Sequence, residues 1–233
     1  YFTAGFVFFF APLYLWAFFS GGRREKSFQR LNSRFYRGFF ALARVLMPGH
    51  RWEIPPEVRD IRSAVIVCNH RSYLDSILLI SLYDKHNTIV KSRLFDIPLF
   101  GRMLRWSGYI PSSSQGRFSE MMIHRIEKIP ALLADGGNLI IFPEGTRSQD
   151  GRIGRLNTGA VKIARNCRAP IKVLFVRNTE NMFRPGSFSF DTRGPNTISL
   201  ALIGTIDSAT DREIGFLSEV MDRVHAMFES QNE

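Results

Sequence analysis

Cysteine is nearly absent from this chain. Cys68 and Cys167 are the only two in 233 residues, and they share no metal or redox spacing. Cys68 ends an apolar run, so both thiols read as reduced and structural, consistent with a cytosolic face. A Gly-x-Ser-x-Gly elbow is also missing, which leaves Ser72 and Ser76 without support as covalent nucleophiles. Nor is there a glycine-rich phosphate loop of the nucleotide-binding kinds, an internal repeat or a low-complexity linker. Acidic residues are the minority charge, 21 against 31 Lys and Arg, for a net charge of +10. The excess is local. From Arg23 to Arg51 there are eight Arg or Lys and one Glu, a belt that holds +7 of the total. Such a belt does not make the whole fold a nucleic-acid-binding surface.

The longest charge-free stretch precedes the belt. Residues 1–22 carry no charged side chain, and Phe6 to Phe10 followed by Leu13 to Phe19 is strongly apolar. About 20 such residues make roughly 30 Å of helix, the hydrocarbon thickness of a bilayer. Pro12 in the middle predicts a kink, or a re-entrant or interfacial segment. The run lacks a preceding basic region and a small-residue cleavage site, which argues against a signal peptide. Arg23, Arg24 and Lys26 place the following end on the cytoplasmic side.

Next, Phe28, Leu31, Phe35, Phe39, Leu42 and Leu46 recur at three- and four-residue steps. Arg30, Arg34, Arg37 and Arg44 lie largely elsewhere around the axis, so the stretch reads as a basic amphipathic helix. It could pack on the rest of the chain; the adjoining apolar segment favours contact with a membrane surface.

The remainder is patterned as an α/β domain. Strands are expected at 64–68, 88–91, 138–142, 171–176, 187–190 and 197–204, and helices at 74–83, 98–106, 118–134, 158–166 and 211–229. Arg193-Gly194-Pro195-Asn196 is a turn signal, suggesting an antiparallel hairpin attached to a mixed sheet. Ile214, Leu217, Met221, Val224 and Phe228 share one helical face, the pattern of core packing.

Two stretches carry chemistry. Cys68-Asn69-His70-Arg71-Ser72-Tyr73-Leu74-Asp75 follows the apolar run Ala64-Val65-Ile66-Val67, at a strand-to-helix junction where α/β proteins commonly build sites. On one continuous helix, His70 and Asp75 would point about 140° apart. They meet only if His70 lies on the turn and Asp75 on the first helical turn. There the carboxylate can hold one ring nitrogen, leaving the other as a general base. Each residue alone also has an ordinary role, the His in capping or packing and the Asp at the amides of a helix start. The second stretch is Phe142-Pro143-Glu144-Gly145-Thr146-Arg147-Ser148, again a polar loop after an apolar strand. Gly145 allows close backbone approach, and Arg147 offers a planar fork suited to phosphate. In isolation this loop also reads as a surface turn with an Arg–Glu pair. His50, His86, His124 and His225 have no partner motifs and read as surface or packing residues.

Together the two stretches resemble the glycerolipid acyltransferases. Asn69-His70 with Asp75 is similar to their His-x4-Asp signature, and Phe142 to Ser148 matches their second signature at every position. Val90-Lys91-Ser92 through Gly101, then Gly108, resembles the family's lysine-containing segment. Leu156 to Gly159 and Ala169-Pro170-Ile171 fall where later family segments are expected. The resemblance runs from about residue 50 to 206 and is closest to the 1-acylglycerol-3-phosphate (lysophosphatidate) branch. Two positions depart from it. After Gly108 the nearest Arg is Arg117, further along than the family's phosphate-holding Arg, and Asn157 stands where a Lys is common.

The resemblance implies a mixed central sheet flanked by helices and a membrane-associated O-acyltransferase. Such an enzyme would move an acyl group from acyl-CoA or acyl carrier protein to a lysophospholipid hydroxyl, forming phosphatidic acid, with no cofactor or metal. His70 would be the base and Asp75 its orienter; Glu144, Gly145, Thr146 and Arg147, with Lys91 and Arg117, would hold the acceptor. Oxyanion donors are needed too, and no residue is assigned to them. The implied organisation is a hydrophobic membrane segment at 1–22, a basic amphipathic membrane-proximal helix at 23–51 and a catalytic domain at 52–233 on the cytoplasmic face. Other lysophospholipids, a lyso-aminolipid or glycerol-3-phosphate are alternative acceptors. A non-catalytic lipid-binding protein and a metal hydrolase using His70 and Asp75 are the readings from other classes.

Overall fold

The computed structural model describes residues 1, 4–19, 24–113, 115–148, 152–184, 186, 190–192, 194–207 and 217–232. Among these, seven strands form one mixed sheet: β1 (His50–Glu53), β2 (Val65–Cys68), β3 (His86–Val90), β4 (Ile110–Pro111), β5 (Asn138–Ile141), β6 (Ile171–Arg177) and β7 (Asn196–Ile206). Their order across the sheet is β1-β7-β6-β2-β5-β3-β4. Strands β6, β2, β5, β3 and β4 run parallel; β7 pairs antiparallel with β6, and β1 parallel with β7. The α-helices are α1 (Ala11–Phe19), α2 (Arg24–Leu46), α3 (Pro56–Arg59), α4 (Tyr73–Leu82), α5 (Phe100–Trp106), α6 (Ser119–Glu127), α7 (Ile129–Ala134), α8 (Gly159–Cys167), α9 (Thr179–Met182) and α10 (Leu217–Glu229).

Both faces of the sheet are covered, which is why its central strands read as unbroken apolar runs. Alternation sends Val65 and Val67 of β2 to one face, where they pack with Ile129 of α7, Val161 of α8 and Val224 and Phe228 of α10. Ile66 and Cys68 go to the other face, against Leu78 and Leu79 of α4 and Phe39, Phe40 and Ala43 of α2. The mixed sheet flanked by helices is thus the observed architecture.

Several boundaries differ from expectation, each for a local reason. The single helix expected over 118–134 is two, because Pro130 lies at the start of α7 and cannot donate to a carbonyl one turn back. The helix expected from 98 starts at Phe100, after Pro98 and after Leu99 at φ +62°. β7 takes β6 as its antiparallel partner, not a strand at 187–190; residues 187–189 lie outside those described, as do Arg193 of the expected turn and residues 211–216 of the expected last helix. β1 and β4 had no signal. β1 is the polar run His50-Arg51-Trp52-Glu53 at one edge, and β4 is two residues long at the other, where Pro111 is tolerated.

The amphipathic helix is real, but its apolar stripe is not a free lipid-facing surface. Phe28, Leu31, Phe35, Phe39, Phe40 and Ala43 are buried in the protein's own core, while Leu42 and Leu46 remain exposed. This corrects the lipid-facing reading of that stripe: the sheet and α4 offered an apolar surface of the same shape. Ahead of it, a π-helical turn at Phe6–Phe10 runs into α1, so the irregularity expected at Pro12 sits just before it. Tyr14 and Ala17 of α1 pack on Phe28 and Leu31. Phe8, Phe9, Leu13, Leu15, Trp16 and Phe19 are exposed. Among the described residues, no helix is long and apolar enough to cross a membrane.

A buried polar chain fixes α1 and α2 to the sheet. Tyr14 Oη donates to Asn32 Oδ1, and Asn32 Nδ2 donates to Tyr109 Oη and Ser107 Oγ, each at 2.9 Å. Tyr109 Oη in turn meets His86 Nε2 at 2.7 Å, while His86 Nδ1 lies 2.8 Å from the Tyr83 carbonyl. Since a carbonyl only accepts, Nδ1 carries the proton and Nε2 accepts from Tyr109. Burial lowers the His86 pKa to about 4, so the ring stays neutral.

Candidate active site

Because β6, β2 and β5 are parallel neighbours, the segments leaving their carboxyl ends lie side by side, with that of β2 in the middle. Those segments begin at Asn178, Asn69 and Phe142. Ligand sites of open α/β sheets form at this edge.

The central segment is held on both sides. Asn69 is fully buried and replaces a sheet partner for β6: its Nδ2 donates to the Val176 carbonyl and its Oδ1 accepts from the Val176 amide. The His70 amide donates to Glu144 Oε1 at 2.9 Å, and the His70 carbonyl accepts from the Ser148 amide. The imidazole stacks on Phe142, with 4.3 Å between ring centres. Backbone and ring of His70 are therefore both set by the segment after β5.

Ser72 then caps α4, its hydroxyl accepting from the Leu74 amide, and Asp75 sits in the first turn. Asp75 Oδ2 accepts from His70 Nδ1 at 2.9 Å and from the Arg71 and Ser72 amides at 2.7 Å each. The capping role and the imidazole-orienting role fall to one carboxylate, so the two readings of Asp75 are not exclusive. Asp75 is 1% exposed, whereas the His70 side chain keeps 15% of its surface open. A carboxylate accepts only, so Nδ1 carries a proton, and in the neutral ring the lone pair is then on Nε2. The arrangement can take a proton from a group placed there and hold the cation that results.

Glu144 braces two loops, since Oε2 also accepts from the Gly154 amide at 3.4 Å. Burial raises its carboxyl above the usual range, against the lowering effect of those amide donors. Gly145 has φ +65°, the conformation that favours glycine, and Thr146 is exposed. The Arg147 guanidinium lies 3.5 Å from the centre of the Tyr73 ring. Its Nη1 is buried without a hydrogen-bond partner among the described residues. A buried donor of that kind is suited to an arriving anion.

The other two cations stand apart. Lys91 is exposed at the exit of β3, two strands from β2 and thus about 10 Å across the sheet. Arg117 follows β4, one strand further, where it pairs with Asp96 at 2.5 Å and lies over Phe118. Asn157 serves locally, its Oδ1 accepting from the Gly159 amide at the start of α8. Among the described residues, no group of three His, Cys, Asp or Glu side chains could hold a metal ion.

Three contributors escaped the sequence reading. Phe142 stacks on His70 and the Tyr73 ring lies against the Arg147 guanidinium; both stand inside the two stretches singled out in the sequence, which gave them no role of their own. Thr179, whose hydroxyl reaches Asp75 Oδ1, lies 104 residues away and gave no signal.

A family model described as Acyltransferase matches residues 50–176. The chloroplastic 1-acyl-sn-glycerol-3-phosphate acyltransferase BAT2 of Brassica napus is 32% identical over 123 residues, 53% of this chain and 35% of that protein. The 1-acyl-sn-glycerol-3-phosphate acyltransferase of Cocos nucifera is 29% identical over 170 residues, 71% of this chain and 52% of that protein. The chain thus spans about a third to a half of the length of these relatives. Among solved structures, the 1-acyl-sn-glycerophosphate (LPA) acyltransferase PlsC from Thermotoga maritima superposes with a TM-score of 0.69, covering 97% of this chain and 89% of that one. At 19% sequence identity, that likeness speaks to the fold.

Proposed function

Because this chain belongs to the acyltransferase family, we propose that it transfers a fatty acyl group from a thioester to the free hydroxyl of 1-acylglycerol-3-phosphate. The product is phosphatidic acid. The observation that carries the reading is the His70–Asp75 pair, with Nδ1 bound to a buried carboxylate and Nε2 left open. Nε2 takes the proton of the acceptor hydroxyl as its oxygen attacks the thioester carbonyl. The carbon–sulfur bond then breaks, and the imidazolium returns that proton to the departing thiolate, giving the free thiol of CoA or of acyl carrier protein. Asp75 holds the ring and balances its transient charge. Arg147, with its unsatisfied Nη1, receives the acceptor phosphate, and Glu144 and Gly145 shape the loop around it.

We place the enzyme at a membrane surface, with the catalytic domain on the cytoplasmic face. The exposed row Phe8, Phe9, Leu13, Leu15, Trp16 and Phe19 supports this, as do Arg24 and Lys26 beside it. With Tyr14 and Ala17 packed on α2, α1 suits a position along the interface. Acceptor and product reside in the bilayer, whereas the donor arrives from the aqueous side.

One observation favours a different acceptor with the same chemistry. Arg117, the candidate to replace the family's phosphate-holding Arg, is engaged by Asp96. Labelled acyl-CoA offered to vesicles containing lysophosphatidate, other lysophospholipids, a lyso-aminolipid or glycerol-3-phosphate tests both readings. Lysophosphatidate is expected to be acylated fastest. Preference for another acceptor would move the assignment, and lipid binding without transfer to any acceptor would make the protein a binding module.

A further inference from the structure

The exit of β6 contacts the His70–Asp75 junction from the side opposite Glu144. Its corner is built to stay put. Asn178 adopts φ +64°, its Nδ2 donates to the Thr197 carbonyl at 2.8 Å, and its own carbonyl accepts from Asn196 Nδ2 at 2.9 Å. Those bonds tie the corner to β7. The next five residues then make three contacts with the start of α4. Thr179 Oγ1 donates to Asp75 Oδ1 at 2.5 Å, Glu180 pairs with Arg71 at 3.0 Å, and the Phe183 carbonyl accepts from Ser72 Oγ at 2.7 Å.

We propose that Thr179 is a positioning residue for acyl transfer, acting through Asp75 to keep the open face of His70 aimed at the acceptor hydroxyl. The Asp75 carboxylate divides its bonds unevenly between its two oxygens. Oδ2 receives His70 Nδ1 and two backbone amides, while Oδ1 accepts from Thr179 Oγ1. Asp75 is 1% exposed and Thr179 is fully buried, so bulk water does not substitute readily for the hydroxyl. Without it, Oδ1 becomes a buried anionic oxygen short of a donor. Rotation of the carboxylate relieves that shortage only by drawing Oδ2 out of line with Nδ1. The imidazole is then free to turn, and the general-base geometry loosens. Thr179 touches no reacting atom; its effect passes through two hydrogen bonds.

This inference rests on the proposed base role of His70, so the test pairs activity with a measurement independent of it. Thr179→Val removes the hydroxyl and keeps the branched shape; Thr179→Ser keeps the hydroxyl. With acyl-CoA and lysophosphatidate in vesicles, Thr179→Val should lower kcat by about tenfold to a hundredfold while KM stays within about twofold. Thr179→Ser should recover most of the loss. In parallel, NMR of 15N-histidine-labelled protein should show the His70 Nδ1–H signal displaced or broadened in Thr179→Val and restored in Thr179→Ser. An unchanged His70 signal in folded Thr179→Val overturns the proposal, as does a kcat within about twofold of the parent. If the parent protein acylates no acceptor, the reading of function fails, and the NMR result alone decides whether Thr179 positions the pair.

Discussion

Two histidines sit at opposite ends of strands that β5 separates in the sheet, and their surroundings differ in kind. His70 leaves the carboxyl end of β2, bound through Nδ1 to a carboxylate, with Nε2 open. His86 begins β3, fully buried, with Nδ1 on the Tyr83 carbonyl and Nε2 taken by Tyr109. Both rings donate through Nδ1. What separates them is the second nitrogen. His86 uses it to complete a chain of Tyr109, Asn32 and Tyr14 that fastens α1 to the sheet, so its chemistry is spent on architecture. His70 keeps it available, and a partner carboxylate stands ready to balance a gained proton. The proposed base role of His70 rests on what is left unbonded as much as on what is bonded.

Breaking the first arrangement should have the largest effect. His70→Ala is expected to reduce acyl transfer by about a thousandfold or more, measured at saturating acyl-CoA. Asp75→Asn should cost on the order of a hundredfold or more, because an amide can pair with the wrong tautomer of the ring. Lipid-vesicle binding of both variants should match that of the parent.

The second arrangement should instead respond to acid. The folded pKa of His86 is depressed to about 4, below the ordinary histidine value. Its contribution to stability is therefore present above about pH 6.5 and is lost as pH falls through that window toward 4. Between pH 7.5 and 5 the loss should be about 2 kcal/mol in urea unfolding. His86→Gln, which takes up no proton, should lack that component while keeping the acyl-transfer activity of whatever fraction is folded.

Smaller effects should sharpen the contrast between the site and its surroundings. Arg147→Ala should raise KM for lysophosphatidate by about tenfold with a lesser change in kcat, as expected for a group that binds phosphate and does not move protons. Arg117→Ala should change either constant by no more than about twofold, because that side chain is exposed and held by Asp96. A larger loss at Arg117 than at Arg147 would transfer the phosphate role.

How much of this could be read from the chain alone depended on the range of the interactions. His70 and Asp75 lie within one turn and one helix start, so the sequence stated the condition under which they meet, and the second stretch with its family resemblance supported it. The central strands were legible because both of their faces are buried. β1 was not, since its polar residues pair with β7, 146 positions away at His50 and Asn196. The apolar stripe of α2 was visible, but a stripe does not say whether protein or lipid will cover it. Thr179 depended on a corner set by Asn178 and β7, a long-range arrangement that no local pattern records.

The proposed base role of His70 is best tested by single-turnover transfer from labelled acyl-CoA to lysophosphatidate in vesicles, with His70→Ala and His86→Gln run side by side at pH 7.5. A loss of about a thousandfold is expected for the first and near-parent rates per folded molecule for the second. Undiminished transfer by His70→Ala, or an equal loss in both variants, would contradict it.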